Sequence, residues 1–138
     1  MVGTVGSGCS SSSESLPSAA ASNPLAACPE SPNCERISTD VALPADSLFA
    51  RTRQALRALG PARLRVRPEA RRATAVYRVA WLFRDDVAVA VEPRSAGSRL
   101  HVRSASRTGY SDLGVNRRRV QRLLEHLPSG GTTQDARR

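Results

Sequence analysis

The segment RSASRTGYSDLGVNRRR, Arg103 to Arg119, sets guanidiniums, hydroxyls, a carboxylate and an amide around two glycines. Arg103 and Arg107 are four apart and so share one face of a strand, with Ser104 and Ser106 on the other. Gly109 and Gly114 permit turn dihedrals that other residues resist, and a helix starting near Asn116 presents free N–H groups and a positive dipole end. A phosphate, sulfate or carboxylate can be held between Arg103, Ser104, Ser106, Arg107, Asp112, Asn116 and Arg117. The same residues can instead form a structural clasp. In that reading Asp112 caps the helix or pairs with Arg107 or Arg117, Asn116 satisfies turn carbonyls, and the serines bond edge backbone. The two readings are compatible.

Cys28 and Cys34 lie in CPESPNC, where Pro29 and Pro32 pre-set turn dihedrals that can bring the two Cβ atoms within disulfide reach. A zinc site needs two further ligands, and His101 and His126 are at no finger spacing. A redox pair is typically spaced more closely. A small disulfide loop in an oxidising compartment is the favoured use, with free thiols as the bland alternative. Cys9 follows Gly6, Ser7 and Gly8 and precedes a serine run, as the lipid-carrying cysteine of a bacterial lipoprotein does. The charged and apolar segments of an export signal do not precede it, so the expectation is a start site placed too late. An unmodified cysteine in a flexible tail is the alternative. Asp85 and Asp86 are adjacent, so in a strand they point to opposite faces and do not easily act on one substrate atom unless they lie in a turn; turn and strand-start roles are the favoured reading. His101 is a thin candidate for acid/base work.

Elements must position these groups. ADSLFARTRQALRALG places Leu48, Phe49, Thr52, Leu56 and Leu59 on one helical face, with Asp46 or Ser47 as cap and Gly60-Pro61 as the stop. Strand signals follow in RLRV, ATAVYRVAWLF, DVAVAVE and RLHVRSAS, and Val120, Leu123, Leu124 and Leu127 stripe a second helix. The expected fold is α+β: a small antiparallel sheet of about four strands with two helices packed on one face. Alternation sends Tyr77, Val79, Trp81, Phe83, Val87, Val89 and Val91 toward the helices. The opposite face then shows Arg78, Ala80, Ala88, Ala90, Arg99, His101, Arg103 and Arg107. The expected organisation is a Ser/Ala-rich tail or tether over 1–27, one domain over 28–128 and a frayed tail over 129–138.

The 138 residues carry a net charge of +9, and every one of the 21 basic residues is arginine. Residues 1–34 hold Glu14, Glu30 and no base, so the rest carries +11. Such a field attracts nucleic acid, anionic lipid or acidic glycan without choosing among them. No nucleophile elbow, His-Glu metal motif or phosphate-cradling glycine loop is present in the sequence, so catalysis, metal and cofactor are not expected.

CPESPNC, FRDDV and RSASRTGYSDLGVNRRRV, in that order, resemble a bacterial and plastid family catalogued only as a domain of unknown function, of the DUF1499 type. The likeness covers about residues 28 to 127, with departures at Arg84 and in a short strand-to-strand connection. It implies a small α+β domain, exported or lipid-anchored at the cell envelope, and no established activity. The function expected is therefore a non-catalytic envelope domain that binds an anionic ligand or an envelope protein. An arginine-rich nucleic-acid module is the alternative and an enzyme of unknown reaction the second. Few exposed aromatics are expected for base stacking, and nucleic acid lies in the wrong compartment for an exported chain.

Overall fold

The computed structural model describes residues 23–109 and 111–128, so Cys9 lies outside the described residues. Five strands and two helices form an α+β fold: β1 (Cys34–Val41), α1 (Ala45–Ala58), β2 (Arg63–Arg67), β3 (Arg72–Val79), β4 (Phe83–Arg94), β5 (Gly97–Ser106) and α2 (Val115–Glu125). The sheet order is β1-β5-β4-β3-β2, with every neighbouring pair antiparallel. The expected count of about four strands becomes five because CERISTDV is itself a strand. It is an edge strand, so polar residues line its open side, and on the helix side Ile37, Thr39 and Val41 alternate after a charged Glu35. An edge strand of this kind lacks the apolar run that marks a central one.

Both helices pack on one face. From α1, Leu48, Phe49, Ala55 and Leu56 enter the core, and α2 adds Val120 and Leu123. The sheet meets them with Ala73, Ala75, Tyr77, Val87, Val89, Val91, Leu100 and Val102. The start of α1 differs from the expected cap, since Pro44 occupies the N-cap with no side-chain bond and Asp46 instead accepts from Arg71 Nε at 2.6 Å. At the β4–β5 turn Gly97 is required: its φ is +122°, and a Cβ there would run into the Val41 carbonyl.

One stretch departs sharply from the alternation. Chain direction reverses at Ala80–Leu82, with Val79 paired to Phe83 and positive φ at Ala80 (46°) and Trp81 (70°). Trp81, expected in the core, is therefore outside at 97% exposure, and Phe83, expected there too, is half-exposed where β4 begins. The run contains no Gly, Asn or Pro to signal the turn.

Candidate functional site

The late motif divides between the two faces of the sheet. On the helix side, β5 presents Ser104 and Ser106, and the loop after it turns at Gly114 (φ +79°) so that α2 begins directly over them. Asp112 receives Gly114 N–H on Oδ1 and Asn116 N–H on Oδ2, both at 2.8 Å, so it caps α2. Burial alone would raise the Asp112 pKa. The bonds from the Asn116 backbone and side chain and from Gly114 outweigh it and hold the carboxyl below its ordinary value. Asn116, buried against the sheet, donates from Nδ2 to Asp112 Oδ2 (2.6 Å), Ser106 Oγ (2.8 Å) and the Asn33 carbonyl (3.0 Å), and accepts from Ser104 Oγ at 2.6 Å.

Asn33 brings the early motif to the late one. Its carbonyl also accepts from Ser106 N–H at 3.0 Å, and its side chain donates to the Gly109 carbonyl. Next to it Cys28 and Cys34 are joined in a disulfide, which closes the loop that holds Asn33 in place. Two stretches about eighty residues apart are thus one hydrogen-bonded unit.

Arg119, which sequence reasoning passed over, completes this unit. It lies three residues past Asn116 and so on the same helical face. Its Nη1 is 2.7 Å from Asp85 Oδ2, though not aligned as a hydrogen bond, and reaches Asn116 Oδ1 at 3.0 Å and Ser104 Oγ at 3.1 Å. The guanidinium stands 5.0 Å from the Tyr77 ring centroid. Asp85 is 2% exposed, so this is a buried ion pair between sheet and helix. Tyr77 donates to the Leu56 carbonyl at 2.7 Å, and burial pushes its pKa up to about 12 against the opposing Arg119 charge. Asp85 was legible in part, since it shares the core-facing register of Val87.

On the open side, Arg107 makes a bidentate pair with Asp86, Nε to Oδ2 and Nη2 to Oδ1, both 2.8 Å. Asp85 and Asp86 thus serve opposite faces, as adjacency in a strand requires. Among the described residues Arg103 reaches only the Ala27 carbonyl, at 3.5 Å, and its buried Nε has no hydrogen-bond partner there. With Arg63, Arg65 and Arg107 it lines a shallow groove of about 390 Å³ floored by Thr74, Val76 and Ala88. Arg63 and Arg65 on β2 form one wall and Arg103 and Arg107 the other. Three strand spacings separate the walls, about 14 Å. Arg117 joins neither group: it is exposed on α2.

His101, expected on an exposed surface, is 2% exposed. Ser38 of β1, its cross-strand partner, lies 2.7 Å from Nδ1, and Glu92 Oε2 lies 3.2 Å from Nε2. Burial holds the His101 pKa below its ordinary value, with Glu92 opposing. The residues Asn23–Ala27, assigned to the tail from sequence, lie on this face: Asn23 donates to Ser38 Oγ, and Arg36 donates to the Asn23 and Leu25 carbonyls. The serine-histidine-carboxylate row therefore ties β1, β5 and β4 under that segment, with the imidazole shielded from a substrate.

Residues 24–127 match the family model described as protein of unknown function (DUF1499). The chain belongs to the DUF1499 family. The span of this DUF1499 match begins with the segment laid on the open face and ends at Leu127, which packs in the core. No curated protein matches the chain.

Proposed function

We propose that this DUF1499 domain is a non-catalytic module of the cell envelope that binds an extended polyanion in the open-face groove. The observation that carries the reading is the groove's composition: four arginines and one carboxylate, with that carboxylate, Asp86, already held by Arg107. Arg63, Arg65 and Arg103 form no ion pair among the described residues and so remain available to a ligand. Walls about 14 Å apart suit a chain of anionic groups better than one phosphate. Ser104, Ser106, Asp112 and Asn116 belong to the clasp beneath, with hydrogen bonds spent within the protein. The Cys28–Cys34 disulfide supports an oxidising compartment, and with it the envelope over the nucleic-acid alternative.

The test uses two triple variants that remove equal charge. Arg63→Gln/Arg65→Gln/Arg103→Gln should weaken binding to an acidic polysaccharide by at least about tenfold, since each lost charge-assisted bond is worth about 1.5–3 kcal/mol. Arg51→Gln/Arg57→Gln/Arg122→Gln, on the helices, should weaken it far less. Equal losses would mean that diffuse charge alone attracts the polymer. Tighter binding of nucleic acid than of any acidic glycan at physiological salt would favour the nucleic-acid reading.

A further inference from the structure

At the β3–β4 turn, Trp81 is 97% and Leu82 84% exposed, followed by half-exposed Phe83; in the loop after β5, Leu113 is 84% exposed. Ser106, the last residue of β5, pairs with Asp85, two residues behind Phe83. The turn and the loop therefore leave the same end of the sheet. A cluster of large apolar side chains held in water and rimmed by charge marks a surface that meets something else. The rim is basic. Arg78 and Arg84 face each other directly across the hairpin, both exposed, and neither has an ion pair among the described residues. Like charges placed opposite each other in a sheet repel. Asp86, two residues along from Arg84 on the same face, is occupied by Arg107, so the protein itself does not relieve that repulsion. Behind Leu113, Arg117 is exposed at the start of α2.

We propose that this end of the sheet docks on an anionic lipid bilayer. Trp81, Leu82 and Leu113 enter the boundary between head groups and acyl chains, and Arg78, Arg84 and Arg117 meet lipid phosphates. Trp81 and Leu82 sit on a tight reversal between paired Val79 and Phe83, a protruding tip of the kind that penetrates a soft surface. An indole with an apolar body and one N–H donor settles at that depth. The repelling Arg78–Arg84 pair is stabilised there by the negative surface potential. This surface is separate from the polyanion groove and does not depend on it.

Trp81 is the only tryptophan in the chain, so its emission reports the tip directly. Vesicles of 70% phosphatidylcholine and 30% phosphatidylglycerol, added to the full chain, should shift the emission to the blue and protect it from acrylamide. Leu82→Ala should weaken binding severalfold, and Arg78→Gln/Arg84→Gln by roughly tenfold or more. Neither change touches the core, so the fold persists in both. Arg63→Gln/Arg65→Gln/Arg103→Gln should leave the Trp81 response intact, which separates this docking from the groove. An unchanged emission with anionic vesicles overturns the proposal, and so does an equal shift with neutral ones. Emission already blue and concentration-dependent without vesicles overturns it too, because a second copy would then cover the tip.

Discussion

The Asp85–Arg119 pair illustrates why a buried charge makes the fold sensitive to single changes. Removing one partner strands the other in the interior, at a cost of about 3–5 kcal/mol. Arg119→Ala should therefore lower the denaturant midpoint far more than Arg117→Ala, since Arg119 has four partners and Arg117 has none among the described residues. An apolar pair such as Asp85→Leu/Arg119→Met should recover most of the loss. Recovery would show that the pair's removal is tolerated once no lone charge remains. Asp112 makes a prediction in pH. Its folded-state pKa lies below the ordinary 3.8, so the native state holds the proton less tightly than the unfolded chain. The stability it contributes is complete above that ordinary value and is lost as pH falls through the folded one. Asp112→Ala should cost about 1–2 kcal/mol near neutral pH. The gap between variant and wild type should close in acid. A gap independent of pH would assign the loss to packing.

Between elements, the loop closed by Cys28 and Cys34 holds Asn33 where it bonds α2 and the strand beneath it. Closing so short a loop restricts the unfolded chain by about 2 kcal/mol. Cys28→Ser/Cys34→Ser should lose about that much stability. It should also speed hydrogen exchange at Ser106 and at the first turn of α2 before that of β3 and β4. Uniform acceleration across the sheet would contradict the link. Both helices and the four inner or apolar-patterned strands could be read from periodicity, because burial on one face leaves a repeat in the sequence. β1 could not, since Ile37 and Val41 are the only large aliphatic residues among its eight and leave too sparse an apolar repeat. The hairpin turn at Ala80–Leu82 was hidden for another reason: its residues have strand-forming types and lack the usual turn chemistry. The clasp was half legible. Asp112 and Asn116 stood out by type and spacing, whereas Arg119 looked like one more member of a basic run, and its partners Asp85 and Tyr77 come from strands whose positions only the fold brings together.

Across the whole molecule, charge sorts by face. The carboxylates of the open face are taken: Asp40 by Arg99, Asp86 by Arg107, and Glu92 beside His101 and Arg94. Arginine along β2, β3 and β5 is left in excess there, which gives the net charge of +9 a direction that composition alone does not reveal. A directed field of this kind concentrates anions at one surface and weakens as salt rises. The binding surface proposed is the open-face groove. It is tested most directly by titrating the isotope-labelled chain with a soluble acidic oligosaccharide and following amide and arginine side-chain resonances. Saturable shifts are expected at Arg63, Arg65, Thr74, Ala88 and Arg103, with α1 silent. Shifts spread evenly over the arginines of α1, α2 and the sheet, without saturation, would contradict it.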